Sequence, residues 1–207
     1  MTEIHATGVS EMHYQAERAI ITARVSVTST DRSRSIAAAT ELHNQVAARA
    51  QQLRNSGDAT WHAAHPISTY ARKTYAEGSK QQVLIEHVTS SRVQMKLSNF
   101  SLVSAVVAEL AEAGVETGVE WALTDASRRT HERAGRKHAV AAARVIADDY
   151  AEALGERVVR VLRVSDEQQY GGPQVRAMAA SMPEQTAEVT IAEITVRTAI
   201  AGVFESA

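Results

Sequence analysis

Arg18-Ala19-Ile20-Ile21-Thr22-Ala23-Arg24-Val25-Ser26-Val27, followed by Asp31 and a run of apolar residues spaced three and four apart, decides the fold class. In the first run Ala19, Ile21, Ala23, Val25 and Val27 alternate with Ile20, Thr22, Arg24 and Ser26. A period of two places the first set on one face of a strand. Beyond Asp31 or Ser33, either of which can cap a helix, Ile36, Ala39, Leu42, Val46, Ala50 and Leu53 return at helical spacing. The helix stops at Asn55-Ser56-Gly57, where glycine takes left-handed backbone without a Cβ penalty.

Working outward, the stretch from Glu3 to Thr30 is rich in Ile, Val and Thr and reads as two strands. A further extended block runs from Ala59 to Tyr75. After Glu77-Gly78-Ser79 another runs from Gln82 to Leu97, with Val83, Ile85 and His87 facing opposite to Leu84, Glu86 and Val88; a hairpin fits. Ser98 or Asn99 opens a short helix through Leu102, Val106 and Leu110 that ends at Gly114, and Val115 to Thr124 is a strand. Asp125 is placed to cap the longest helix, Ala126 to Leu154, which Gly155 closes before a strand from Arg157 to Val164. Ser165 to Pro183 has no clean period and is expected to be a long mobile loop. Glu188 to Phe204 is strand-like, with a phase slip near Ala192-Glu193 that predicts a bulge or bend. The order ββαββαβαββ, with long antiparallel strands and hairpins and about three helices laid on the sheet, predicts an α+β fold. No composition break forces a cut, so residues 1–207 are expected to form a single domain.

Composition narrows the function. The 207 residues are 44% hydrophobic and 22% charged, which is ordinary for a folded globular chain. There is no cysteine, so disulfides, thiolate metal sites and Cys nucleophiles are excluded. A net charge of -2 supplies no overall field for nucleic acid or an anionic membrane. Met-Thr-Glu-Ile-His-Ala-Thr-Gly at the start lacks a basic region followed by an apolar one, so no secretion signal is visible. No stretch reaches the roughly 20 apolar residues a membrane span needs. A cytoplasmic protein without membrane attachment is expected.

Several local signatures carry a resemblance. They are the opening Thr7-Gly8-Val9-Ser10-Glu11 before the strand Arg18 to Val27, and the join Val93-Gln94-Met95-Lys96-Leu97-Ser98-Asn99-Phe100. To these add Tyr150-Ala151-Glu152-Ala153-Leu154-Gly155 leading into Val159-Arg160-Val161-Leu162-Arg163-Val164-Ser165-Asp166, and the closing Ile194-Thr195-Val196-Arg197 to Val203-Phe204-Glu205. In this order and spacing the chain resembles the SIMPL domain family, long catalogued as a domain of unknown function, over nearly its whole length. The family includes periplasmic proteins and a kinase-associated signalling protein. The resemblance implies a fold, a tendency in some members to form large homo-oligomers, and loose links to stress tolerance and signalling. It passes on no catalytic residue. Two features depart from it: the secretion signal common in Gram-negative members is not seen, and Ser10 stands where many relatives carry a second glycine.

Candidate chemistry is sparse. His62 and His65 are three apart on a strand, which puts them on opposite faces with no acidic neighbour to complete a metal site. His131 and His138 lie about 10 Å apart along a helix, too far for one ion. No G-x-S-x-G elbow and no glycine-rich phosphate loop occurs, and the Gly171-Gly172 pair precedes a proline, so a nucleotide-dependent enzyme is disfavoured. Asp148, Asp149 and Glu152 read as a solvated acidic face. No cofactor and no metal is expected.

The feature that resists simple rules is Arg128, Arg129, Arg133, Arg136 and Lys137 in the first half of the long helix. Cations there oppose the helix macrodipole, at about 0.3 to 1 kcal/mol each. The ordinary resolution is pairing within the helix, Glu132 to Arg136 at i+4. A subunit or anion contact comes next, and nucleic acid last, because aromatics are only 4% of the chain and do not interleave with the cations. The preferred expectation is a non-enzymatic, self-assembling binding or scaffold protein, a homo-oligomer with a link to stress. The alternative is a small-ligand carrier or enzyme with its site under the 165–183 loop, contacted by Tyr170 and Arg176.

Overall fold

The computed structural model describes residues 1–75, 83–166 and 190–207. Their elements are β1 (Thr2–Gln15), β2 (Arg18–Ser29), α1 (Arg32–Asn55), β3 (Ala59–Ala64), β4 (Ser68–Tyr75), β5 (Val83–Leu97), α2 (Val103–Glu112), β6 (Glu116–Ala122), α3 (Asp125–Ala153), β7 (Val158–Asp166) and β8 (Glu193–Ser206). Three helices lie on antiparallel sheets, as the α+β expectation requires. The boundaries follow local chemistry. Asp31 caps α1 by accepting the Arg34 N–H at 3.0 Å, and Gly57, Gly114 and Gly155 take φ of 84°, 76° and 75° just beyond the three helix ends.

Four expectations shift. The block Ala59 to Tyr75 is two strands, because Pro66 cannot donate to a ladder and breaks the run between β3 and β4. Thr124, not Asp125, caps α3, accepting the Ser127 N–H at 3.2 Å, and Asp125 falls in the first turn, where its charge suits the dipole. Ser165 and Asp166 complete β7 instead of opening the loop, whose residues 167–183 lie outside the described ones. The slip near Ala192-Glu193 is not a bulge within a strand: β8 begins at Glu193 and keeps one unbroken register with β1 from Gln15 opposite Glu193 to Thr2 opposite Ser206.

The contacts divide into two compact units. One holds β2 to β6 with α1 and α2. Its strands run in the order β3-β5-β2-β6, and β4 pairs the first half of the long β5. Alternation does what the opening stretch predicts: Ala19, Ile21, Ala23 and Val25 of β2, with Val93, Met95 and Leu97 of β5, are buried under Ala39, Val46, Ala50 and Leu53 of α1 and Val103, Val106 and Leu110 of α2. A polar seam crosses this layer, with the Ser35 and Thr89 hydroxyls 2.7 Å apart, Thr69 3.0 Å from Thr89, and His43 Nδ1 2.9 Å from Ser91.

The other unit holds β1, β8, β7 and α3. Among the described residues its sheet runs β1-β8-β7, which leaves β1 and β7 at its edges. α3 lies on it through Gly135, Ala139, Ala143, Ala147 and Ala151, a buried stripe at every fourth residue. The approach is close because Gly8 leaves room: a Cβ there would come 1.9 Å from the Ala139 carbonyl oxygen and 2.5 Å from the Ala143 nitrogen. Ser10 is also buried, and Gly135 stands across from it on α3. The helix backbone thus yields space where the strand carries a side chain. Among the described residues no helix is long and apolar enough to cross a membrane.

Candidate functional site

The helix that packs so closely through its small residues presents everything large outward. A buried stripe at every fourth position sorts α3 into quarter-faces. Opposite the buried one lie Arg129, Arg133, Lys137, Ala141, Val145 and Asp149; beside it run Arg128, Glu132, Arg136, Val140, Arg144, Asp148 and Glu152. Arg129, Arg133, Arg136 and Lys137 are exposed and Arg128 is partly so. The structure therefore brings all five predicted cations to one end of one helix surface. It does not supply the Glu132 to Arg136 pair: among the described residues none of the five cations has an ion-pair partner, and Arg129 Nε donates to the Asp125 carbonyl oxygen at 3.1 Å.

The segregation is costly. Arg129, Arg133 and Lys137 are successive like charges at i+4, and so are Asp148 and Glu152, each such pair disfavouring the helix by about 0.2–0.5 kcal/mol. A helix selected only for solubility gains by mixing signs. Arg144 shows what that looks like, its Nε 3.0 Å from Asp148 Oδ1 and its Nη2 donating to the Val158 carbonyl oxygen at 3.1 Å.

Away from α3, the same sheet carries a shallow depression of about 430 Å³ lined by His5, Thr7, Arg163, Ser165, Ala201 and Val203. Cross-strand register builds it, with His5 opposite Val203 opposite Arg163, and Thr7 opposite Ala201 opposite Ser165. The small Ala201 in the middle strand leaves the hollow. His5 Nε2 lies 2.8 Å from Glu3 Oε1, and Arg163 has no ion-pair partner among the described residues. The wall is an imidazole, a guanidinium and two hydroxyls, groups that can bind a small oxyanion. Sequence reading missed it because its residues come from three strands.

Along the edge of that sheet β7 has register shifts between Val158 and Arg160 and between Val161 and Arg163. The shifts turn apolar residues out of both faces, and Val159, Val161, Leu162 and Val164 are each more than 40% exposed.

The other sequence candidates separate. His131 stacks on Tyr14 with centroids 3.5 Å apart, whereas His138 is exposed. His65 Nε2 is 3.3 Å from Gln94 Oε1, and the buried His62 Nδ1 has no hydrogen-bond partner among the described residues. Tyr170 and Arg176 lie outside the described residues. Three carboxylates are held below their ordinary range by hydrogen bonds: Asp31 by the Arg34 and Ser33 backbone, Asp58 by Ser56 and Asn99, and Glu156 by the Ser206 and Thr2 hydroxyls.

The architecture defines an α+β protein of two helix-on-sheet units whose prominent surfaces are an exposed strand edge and a charge-segregated helix. A family model described as SIMPL, protein of unknown function (DUF541), matches residues 4–204. The chain belongs to that family. No curated protein matches it in a sequence search.

Proposed function

We propose that this SIMPL protein is a non-enzymatic binding or scaffold protein that works as a homo-oligomer. The observation that carries the reading is β7: an edge strand bearing Val159, Val161, Leu162 and Val164, each more than 40% exposed. An unpaired ladder edge with apolar side chains associates unless it is covered. The unpaired cations of α3 support the same reading, since their cost to the helix is offset when a second chain neutralises them. The link to stress is what the resemblance implies, and the cytoplasmic setting is the expectation from composition. Light scattering on the eluting protein at low and high salt tests it: a mass at least twice that of one chain is expected, and a single-chain mass at both salts would end the reading.

A second reading, a carrier of small oxyanions, is favoured by the depression walled by His5, Thr7, Arg163 and Ser165. Its test is thermal stabilisation by inorganic phosphate or a short dicarboxylate that Arg163→Ala abolishes; no shift with either anion counts against it.

A further inference from the structure

We propose that two copies of the chain dock through α3 in antiparallel array about a two-fold axis, each basic half lying against the acidic half of its partner. This rests on the reading that the protein self-assembles and names a second surface, besides the β7 edge, through which it does so. The exposed residues of α3 form a palindrome of charge. About a point midway between Ala142 and Ala143, Arg133 falls opposite Glu152, Arg136 opposite Asp149, Lys137 opposite Asp148, and Val140 opposite Val145. All eight are exposed, and each lies opposite or beside the buried Gly135–Ala151 stripe at its own height on the helix. The two valines at the centre are 38% and 58% exposed although they are apolar.

A two-fold axis through that point gives every residue its complement twice, which is the requirement for an isologous interface. The contact would run about 28 Å, from Arg133 to Glu152 at 1.5 Å per residue. It would have an apolar middle and charged ends, the usual anatomy of a specific interface. Parallel docking would set Arg against Arg and Asp against Asp, so the pattern also dictates direction. It accounts for the like charges at i+4 that cost the isolated helix stability. Asp149 and Glu152 have no ion-pair partner among the described residues, so they are available, like the three opposing cations.

Charge exchange tests the pairing on the full chain. Arg133→Glu with Arg136→Glu leaves Lys137 as the one cation among the six opposed charges, and Asp149→Lys with Glu152→Lys leaves Asp148 as the one anion; each variant alone should show half the wild-type mass or less by light scattering. Mixing the two, or combining all four substitutions in one chain, should restore the wild-type mass, because every opposed pair again has opposite signs. Circular dichroism confirms that the variants are folded. An assembled wild type whose mass neither pair of substitutions lowers overturns the helix contact and leaves self-assembly standing. Loss of mass that neither mixing nor the four-fold variant restores also overturns it. A monomeric wild type at every concentration and salt removes self-assembly itself, and the contact with it.

Discussion

Gly8 shows how one residue sets the distance between layers. Its φ is unremarkable; space is what requires glycine, since the α3 backbone lies where a Cβ would stand. Gly8→Ala must push α3 off β1 and β8 or bend the strand, and overpacking of this kind costs about 1–3 kcal/mol. Urea unfolding should show that loss in the midpoint, while Ser10→Gly, which only empties space beside Gly135, should lose less. Glu156 works differently. Its carboxylate accepts from Ser206 and Thr2, joining the turn after α3 to the first and last strands, and these bonds hold its pKa below the ordinary 4.5. A carboxylate with a lowered folded-state pKa contributes stability that is present above the unfolded value and lost as pH falls through the folded one. Stability should therefore decline on acidification below about 4.5, and Glu156→Gln should flatten that decline. An unchanged acid limb in the variant would show that other carboxylates, such as Asp31 and Asp58, carry it.

At the scale of the element, α3 and β7 make opposite compromises. α3 gives up large apolar anchors for a close fit, so its contribution comes from a stripe of Gly and Ala and its outer surface is free to carry charge. β7 keeps large side chains but spends them outward, because two register shifts in nine residues prevent a regular in-out alternation. The docking of α3 on its own copy can be probed without touching the charges. The chain has no cysteine, so Val140→Cys with Val145→Cys introduces the only thiols. Antiparallel pairing brings Cys-bearing positions of the two chains together, and mild oxidation should give a covalent dimer on a non-reducing gel. A lone cysteine at Thr130, which the antiparallel pairing sets about 37 Å along the axis from its own copy at 1.5 Å per residue, should not cross-link.

For the whole molecule, the two units have unequal cores. In the unit of β2 to β6 five of the sixteen residues of the buried cluster are alanine, and the other eleven, Ile21, Leu53, Met95, Leu97 and Leu110 among them, are larger. In the buried cluster beneath α3 in the other unit, five of nine residues are alanine, with Ile4, Ile200, Phe204 and Val158 the large ones. Burying a Leu or Ile side chain contributes about 1.5–3 kcal/mol and an alanine far less. The slowest amide exchange should therefore be found in β2 and β5, with α3 and β1 opening first. Equal protection in the two units would mean that they unfold as one. If the helix contact forms, α3 should gain protection with protein concentration while β2 and β5 do not.

By itself the sequence determined the local order of the chain. Alternation in Arg18 to Val27, the helical spacing from Ile36 to Leu53, and the terminal glycines are short-range patterns, so the α+β class, the three helices and most boundaries could be read directly. The five cations of α3 could be singled out for the same reason, since a helix places i, i+3 and i+4 side by side wherever it sits. Tertiary structure decided what no local pattern encodes. β1 and β2 are two residues apart in the chain, yet β1 pairs with β8 at the other end and β2 with β5 and β6. Pairing of that kind depends on which distant strand offers a matching face, not on any period within the strand. The hollow of His5, Thr7, Arg163 and Ser165 exists only once three strands from both ends of the chain are in register. Knowing which quarter of α3 is buried required the sheet beneath it, and only that knowledge turned a run of charges into a surface with two opposed halves.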